Sequence, residues 1–253
     1  MGDLIAVAGK GGVGKSTFSA LLVRYLLKRG EKPLLVVDAD PNFNLPTMLG
    51  IKPEETIGQV LEEFMGAKLT IPQGMSKQSF LELRLNQAVA EGKSFDLVVM
   101  GRPEGPGCYC SANAVLRDFL DRMRDNYKWI VVDNQAGMEH LSRRTEGKIN
   151  YLLIVSDSTI KGLRTVGNLL ELVEELKLDI DKKYLVVNRA NNLAPRLLDI
   201  IGKYDLIYLG SIPEDSLVIE FDLEEKSLLE LPDSSSAVKS AEQLLDKVFK
   251  QKF

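Results

Sequence analysis

Residues 9–17 near the start of the chain have the composition of a loop that binds phosphate. Gly9, Gly14, Lys15 and Ser16 satisfy the spacing G-x-x-x-x-G-K-[ST]. Glycines allow successive backbone N–H groups to converge on phosphate oxygens without Cβ clashes. In such a loop the lysine reaches the β- and γ-phosphates, and the serine hydroxyl is a ligand of Mg²⁺. The sequence therefore predicts a site for a nucleoside triphosphate with Mg²⁺, built from Gly11, Gly12, Val13, Gly14, Lys15, Ser16 and Thr17.

Apolar runs alternate with helical patterns along the whole chain. The runs that favour buried strands are residues 4–8, 33–37, 95–100, 127–132, 151–155, 184–187 and 206–209. Helical spacing occurs over residues 17–28, 56–65, 76–90, 112–124, 159–176, 195–201 and 236–249. This alternation predicts a single α/β domain over residues 1–253, with helices on both faces of a mostly parallel, doubly wound sheet.

Lys10 follows the first glycine of the loop, where an ordinary phosphate loop needs no lysine. The run of residues 10–17 resembles the deviant Walker A signature of the superfamily that includes MinD, ParA and the nitrogenase iron protein. In that superfamily the early lysine reaches the nucleotide of the other subunit. The resemblance implies a P-loop ATPase that forms a homodimer around ATP, with Lys10 and Lys15 catalytic. Taken alone, Lys10 fits a solvated loop lysine equally well.

Acidic residues follow two of the predicted strands, where ligands bind in open α/β sheets. Asp133 comes directly after one strand, which is the Walker B arrangement of a carboxylate that faces Mg²⁺. By the same resemblance, Asp40 orients the attacking water, Asp38 lies near the Mg²⁺ shell, and the Gly137 N–H contacts the γ-phosphate. Asp40 also fits a helix cap or a turn before Pro41.

Two further strand ends resemble the family segments that hold adenine. The first is Asn188 with Arg189, and the second is Pro213, Glu214 and Asp215. An asparagine side chain offers both a donor and an acceptor, which suits the edge of a purine. A strand-end cap is the alternative role for Asn188, and a helix N-terminal turn is the alternative for Asp215.

The two cysteines of the chain, Cys108 and Cys110, lie in a segment rich in glycine and proline. In extended backbone alternate side chains point the same way, so both thiols can face one ligand. Two thiolates do not complete a four-coordinate site, but two protomers related by a two-fold axis supply four. We therefore expect a soft metal to be shared between Cys108 and Cys110 of the two protomers of a homodimer. A redox pair or incidental cysteines remain alternatives, and His140, the only histidine, is left out of the site.

A cysteine pair in this position resembles the CooC group of carbon monoxide dehydrogenase accessory ATPases. The nitrogenase iron protein takes its second cluster cysteine from switch II, whereas residues 134–140 contain none here. The resemblance implies a metallochaperone that holds nickel or zinc between its protomers and assists nickel insertion into carbon monoxide dehydrogenase or acetyl-CoA synthase. Three rivals stay open: an electron carrier with an iron–sulfur cluster on the same cysteines, a MinD-like membrane-positioning ATPase, and a ParA-like DNA partitioner.

Composition bears on these rivals. A net charge of −4 and a pI near 5.3 argue against a nucleic-acid partner held by phosphate contacts. No apolar stretch approaches the roughly 18 residues of a membrane span, and no charged start precedes an apolar signal segment. Residues 247–253 are short and hold only three apolar residues, which is weak for an amphipathic anchor. We expect a cytoplasmic protein without stable membrane insertion.

Overall fold

The computed structural model describes residues 2–41, 44–65, 71–101, 118–119, 121–135 and 148–249. These residues form an eight-stranded sheet with the order β3-β4-β2-β5-β1-β6-β7-β8. Every neighbouring pair is parallel except the short antiparallel pair of β3 and β4. The strands are β1 (Asp3–Gly9), β2 (Leu34–Asp38), β3 (Ala90–Glu91), β4 (Asp96–Val99), β5 (Trp129–Asp133), β6 (Ile149–Ser156), β7 (Ile180–Asn188) and β8 (Ile207–Ile212). The predicted fold class is confirmed.

Helices cover both faces of the sheet. They are α1 (Lys15–Lys28), α2 (Leu45–Leu49), α3 (Ile57–Met65), α4 (Lys77–Gln87), α5 (Ile160–Glu175), α6 (Pro195–Ile201), α7 (Ser216–Leu223) and α8 (Ser236–Phe249), with a 3₁₀ turn at Leu228–Glu230. One apolar core joins α1, α2, the 3₁₀ turn and α8 to the sheet. The other joins α3, α4, α5 and α6 to the opposite face. Alternation along β1 divides the two cores, because Ile5 and Val7 belong to the first and Leu4 and Ala6 to the second.

Parallel pairing brings the predicted site residues to one edge of the sheet. Val7 lies opposite Asp133 in the register of β1 and β5, and Asp38 lies opposite Asp133 in that of β2 and β5. The strands β2 and β5 each include their aspartate as the last residue, one position beyond the apolar runs. Asp38 and Asp133 are therefore buried within the sheet edge rather than exposed in the loops that follow.

Several elements differ from the sequence-based prediction. The strand predicted over 184–187 begins earlier, at Ile180. The prediction missed the first half of β7 because those residues are mostly polar and partly exposed, and so give no apolar run. The helix predicted to residue 90 is wrong at its end: α4 stops at Gln87, and residues 90–91 pair with β4. A tight turn, in which Gly92 N–H donates to the Phe95 carbonyl, causes the reversal. The sequence did not reveal α2, α7 or the 3₁₀ turn. Of the helix predicted over 112–124, the described positions 118–119 and 121–123 are helical.

An aromatic cluster fixes the last helix on the sheet. The Phe249 ring is fully buried and meets the Trp129 ring at 5.4 Å and the Tyr151 ring at 5.0 Å between centroids, both edge-on. Tyr25 of α1 completes the cluster at 6.1 Å from Phe249. Edge-to-face contacts add to the burial of apolar area, so this cluster joins α1, β5, β6 and α8.

Within the described part of the chain, no helix is long and apolar enough to cross a membrane.

Replacing Phe249 should weaken the whole fold. We expect Phe249→Ala to lower the free energy of unfolding by about 3–5 kcal/mol, because it removes a fully buried ring and leaves a cavity. Urea unfolding followed by circular dichroism measures this loss. Leu223→Ala is the matched control, since Leu223 is 80% exposed and its truncation should change the free energy by about 0.5 kcal/mol or less. Similar losses in the two variants would contradict the role given to the cluster.

Candidate functional site

The loop between β1 and α1 has a backbone that only glycine adopts without strain. Gly9, Gly12 and Gly14 have φ angles of 149°, 79° and 88°. A Cβ atom on Gly9 would lie 2.2 Å from the Val155 carbonyl oxygen, and one on Gly14 would lie 2.2 Å from Asn188 Nδ2. The loop is thus pressed against the ends of β6 and β7. Helix α1 begins directly after it, at Lys15, so the positive end of the helix faces the same space.

Lys15 is a buried cation beside two carboxylates. Its Nζ donates to the Lys10 carbonyl oxygen at 3.3 Å. Burial lowers the pKa of Lys15, while the nearby charges of Asp133 and Asp40 act in the opposite direction. A phosphate placed against this ammonium group would favour its charged form in the same way.

Asp133 is 1% exposed and stands beside the first turns of α1. Its Oδ1 accepts a hydrogen bond from the Ser19 hydroxyl at 3.1 Å, whereas its buried Oδ2 has no partner. Burial raises the pKa of Asp133 to about 6, against the lowering effects of the Ser16 and Ser19 hydroxyls and the Lys15 charge. Burying a carboxylate oxygen without a partner costs free energy of folding unless a cation or a hydrogen-bond donor binds to it.

These donors fit a magnesium ion. Mg²⁺ prefers oxygen ligands and usually keeps several waters beside one or two protein groups and the phosphates of a substrate. The Ser16 hydroxyl and the orphan Oδ2 of Asp133 are hard oxygen donors next to the phosphate loop. Among the residues described by the structure, no group of three or more His, Cys, Asp and Glu side chains is arranged to hold a metal ion. A magnesium site of this kind does not need such a group, because phosphates and waters supply the remaining ligands.

The Asp38 carboxylate shapes the segment that carries Asp40. Asp38 is fully buried, and its Oδ1 and Oδ2 accept hydrogen bonds from the backbone N–H groups of Asp40 at 3.0 Å and Leu45 at 3.1 Å. Burial, together with the neighbouring charge of Asp133, raises the pKa of Asp38 to about 7, although these two hydrogen bonds oppose the shift. Asp38 therefore organises the backbone around Asp40, a role that the sequence did not suggest.

Two connected cavities open from the phosphate loop. One of about 730 Å³ is lined by the loop, Lys15, Ser16, Asp40 and Gln135. The other, of about 290 Å³, is lined by Asn188, Arg189, Pro213, Glu214 and Asp215, with Ala237 and residues of α1. Thr17 and Arg189 line both cavities, so the cavity of the phosphate loop and the cavity of the predicted adenine residues adjoin each other in one groove.

The residues predicted to hold adenine also stabilise the walls of their cavity. Asn188 Nδ2 donates to the Val13 carbonyl at 2.9 Å, which fastens β7 to the phosphate loop. Asp215 accepts hydrogen bonds from Leu217 N–H through Oδ1 and from the Ser235 hydroxyl and Ala237 N–H through Oδ2. Burial alone would raise the pKa of Asp215, but these hydrogen bonds lower it to about 2. Arg189 is exposed and adopts a left-handed backbone with φ of 54° at the mouth of the groove.

Three predicted site residues, Cys108, Cys110 and Gly137, lie outside the described residues. The same holds for His140, which was left out of the predicted site. Conversely, the sequence did not single out Ser19, which donates to Asp133, or Asn134, which donates to Val7 of β1. Ser19 stands three positions after Ser16 on α1, and that helical spacing was the available signal. Asn134 had no signal beyond its place after Asp133.

Comparison with known proteins agrees with this geometry. Residues 4–228 match the family model described as the CobQ/CobB/MinD/ParA nucleotide binding domain. The chain belongs to this family. It is a P-loop ATPase, as the phosphate loop and the sheet topology also indicate.

Individual relatives extend the comparison within the CobQ/CobB/MinD/ParA family. An uncharacterized ATP-binding protein of Methanocaldococcus jannaschii is 38% identical, over 99% of this chain and 100% of that protein. The carbon monoxide dehydrogenase accessory protein CooC of Rhodospirillum rubrum is 31% identical, over 85% of this chain and 84% of CooC. Among solved structures, Pyrococcus horikoshii MinD complexed with Mg-ADP aligns with a TM-score of 0.72 and 20% identity, over 99% of this chain and 97% of that one. That likeness concerns the fold alone.

The raised pKa of Asp38 gives a testable dependence of stability on pH. An unfolded aspartate titrates near 3.9, whereas Asp38 in the fold has a pKa of about 7. Between these values the folded state holds a proton that the unfolded state has lost, so the contribution of Asp38 to stability is present at low pH and decreases as pH rises through 7. We expect Asp38→Asn, which does not titrate, to gain stability relative to wild type from pH 4.5 to pH 7.5.

Urea unfolding of the nucleotide-free protein without Mg²⁺, at a series of pH values, measures this difference. Asp38→Asn also loses one acceptor for a backbone N–H, but this loss lowers the free energy of unfolding by the same amount at every pH. The change with pH in the difference between the two proteins therefore reports the titration of Asp38. Asp199→Asn, at an exposed position, controls for the loss of one surface carboxylate. A difference between wild type and Asp38→Asn that stays constant with pH would contradict the raised pKa.

Proposed function

We propose that this ATPase is a metallochaperone that assists nickel insertion into carbon monoxide dehydrogenase or acetyl-CoA synthase. The observation that carries the proposal is the Cys108-x-Cys110 pair in a chain 31% identical to a carbon monoxide dehydrogenase accessory protein. The pair binds nickel or zinc, and the site is completed by the same two cysteines of a second protomer. The phosphate groove of each protomer supplies the ATPase cycle that controls this dimer.

The charges of the groove support the hydrolysis of ATP. Lys15 stabilises the negative charge that develops on the transferred phosphoryl group, and Lys10 does the same from the partner protomer. Asp40 orients the attacking water. Ser16 and Asp133 would hold Mg²⁺, which would neutralise charge on the β- and γ-phosphates. The Gly137 N–H would contact the γ-phosphate, as in the superfamily that the sequence resembles.

The second cavity suits the nucleoside. Its size and its position beside the phosphate loop support an adenine base between Asn188 and the 213–215 turn. Here Arg189, Pro213 and Glu214 cover the base, while Asn188 and Asp215 fix the walls by the hydrogen bonds described above. ATP and ADP would both occupy this cavity.

Coupling between ATP and the metal follows from the dimer. A shared four-sulfur site exists only when two protomers meet, and ATP bound with Lys10 in trans favours the same closed dimer. Each ligand then strengthens the binding of the other, because both prefer the closed state. Hydrolysis removes the γ-phosphate contacts and allows the dimer to open and release the metal to its client enzyme.

Two substitutions test the catalytic roles. We expect Lys10→Ala and Asp40→Asn to bind ATP with an affinity close to wild type but to lower kcat by roughly 100-fold or more, since each removes a group needed mainly in the transition state. Phosphate release assays and calorimetric ATP titrations measure the two quantities. Lys203→Ala, which removes an exposed lysine elsewhere, controls for the change in net charge. Wild-type turnover in either site variant would remove that residue from the mechanism.

A metal titration tests the cysteine site. We expect reduced protein prepared without oxygen to bind one Ni²⁺ or Zn²⁺ per two chains and to dimerise as it does so. Elemental analysis and light scattering measure both. Cys108→Ala should lose metal and metal-dependent dimerisation while keeping its fold, and Ser111→Ala, in the same segment, should keep both. Metal bound to a monomer, or an unchanged metal content in Cys108→Ala, would contradict the shared thiolate site.

The same preparation distinguishes the rival functions. A brown protein that contains iron and inorganic sulfide would favour the electron carrier. Co-sedimentation with anionic lipid vesicles in the presence of ATP would favour a MinD-like role, to which the likeness in fold to MinD is relevant. Co-sedimentation with DNA would favour a partition protein.

A further inference from the structure

We propose that Gln135 is a further catalytic residue of the ATPase, whose carboxamide positions the attacking water together with Asp40, and that Asn134 holds Gln135 in place. The inference concerns ATP hydrolysis itself and does not depend on the metal carried by the protein.

Gln135 lies at the phosphate end of the groove. It is half-buried and lines the same cavity as Lys15, Ser16 and Asp40. In the sequence it is the second residue after Asp133, the buried carboxylate that ends β5. Gln135 thus lies beside the space that the γ-phosphoryl group of a nucleotide held by the phosphate loop would share with water.

The reaction needs a group of this type. The water oxygen forms a bond to the γ-phosphorus while the bond from phosphorus to the β–γ bridging oxygen breaks. ADP leaves with the electron pair, and the proton lost by the water ends on inorganic phosphate. A carboxylate such as Asp40 can only accept a hydrogen bond from that water, whereas a carboxamide can accept one and donate another. Glutamine orients the attacking water in other phosphate-loop enzymes, so the chemistry has a precedent.

Asn134 fastens the backbone immediately before Gln135. Its Nδ2 donates to the carbonyls of Val7 at 2.9 Å and Val132 at 3.2 Å, and its backbone N–H donates to Val7 at 3.1 Å. Val7 stands two residues before Gly9, where the phosphate loop starts. The two hydrogen bonds to Val7 therefore tie the backbone before Gln135 to the strand that leads into the phosphate loop.

The arrangement of residues 133–135, at the end of β5, supports this proposal. The Asp133 side chain contacts Ser19 of α1, the Asn134 side chain contacts β1, and Gln135 lines the groove. Such alternation is what extended backbone produces. The end of β5 therefore directs the Asp133 side chain to the cation site and brings Gln135 beside the attacking water.

The amide at position 134 is not explained by packing alone. Asn134 is 1% exposed, and its Oδ1 is buried without a hydrogen-bond partner. An apolar side chain of similar size would avoid that desolvation cost. The hydrogen bonds from Asn134 Nδ2 offset that cost, and the one to Val7 holds the end of β5 against the strand that leads into the phosphate loop.

The first test compares ground-state and transition-state binding. We expect Gln135→Ala to lower kcat by about 100-fold, while the dissociation constants of ATPγS and ADP stay within threefold of wild type. Its affinity for ADP with aluminium fluoride, which mimics the transition state, should fall by about the same factor as kcat. Gln78→Ala, on the exposed surface of α4, is the matched control and should leave all of these values unchanged.

The second test addresses the geometry. Gln135→Asn keeps the carboxamide but withdraws it by one methylene, so it should lose nearly as much kcat as Gln135→Ala. Asn134→Leu keeps volume but removes the N–H donors, and should lower kcat while ATPγS binding is retained. If Asn134→Leu does not fold, the Gln135→Asn result alone decides the matter.

Three results would overturn the proposal. The first is a kcat of Gln135→Ala within threefold of wild type. The second is a loss of ADP and ATPγS affinity as large as the loss of affinity for the aluminium fluoride complex, because that would make Gln135 a binding residue only. The third is full activity in Gln135→Asn, which would show that the position of the carboxamide does not matter.

Discussion

Two carboxylates are buried side by side at the edge of the sheet, and the site is organised around them. Asp38 and Asp133 are partners in the register of β2 and β5, and both are almost entirely removed from water. Burial and mutual repulsion raise the pKa of Asp38, and burial raises that of Asp133. The hydrogen-bond donors around both carboxylates and the charge of Lys15 near Asp133 oppose these shifts. Parallel pairing creates this constraint, since it brings the ends of neighbouring strands to one edge.

The two carboxylates meet the constraint in different ways. Both oxygens of Asp38 accept hydrogen bonds from backbone N–H groups, and these bonds fix the backbone of the segment that leads into α2. Asp133 gives one oxygen to Ser19 and leaves the other without a partner beside Lys15 and Ser16. One aspartate is thus structural, and the other remains available for a cation that arrives with the nucleotide. This asymmetry was not apparent from the sequence, where both residues follow similar apolar runs.

The sequence predicted the centre of the fold better than its periphery. Buried parallel strands are continuous apolar runs, so β1, β2 and β5 stand out, and the spacing from Gly9 to Ser16 is too constrained to mistake. The first half of β7 was missed because it is polar, and α7 because its eight residues carry apolar side chains on both exposed and packed positions. Groove residues from distant segments, such as Asn188 and Asp215, were predicted only through resemblance. Their hydrogen bonds to Val13 and Ala237 depend on tertiary packing that no local pattern encodes. The Cys108 and Cys110 site stays a prediction.

Asp215 links the smaller cavity of the groove to helix α8. One carboxylate caps α7 and receives hydrogen bonds from the start of α8, and Ala237 of α8 also lines the cavity. Ligand binding in this cavity and the packing of α8 on the sheet would therefore be coupled, and the coupling free energy acts equally in both directions. A ligand held in this cavity would stabilise the packing of a helix that lies more than 200 residues beyond the phosphate loop in sequence. A shift of α8 on the sheet would in turn move one wall of the cavity, because Ala237 and the Asp215 hydrogen bonds belong to both.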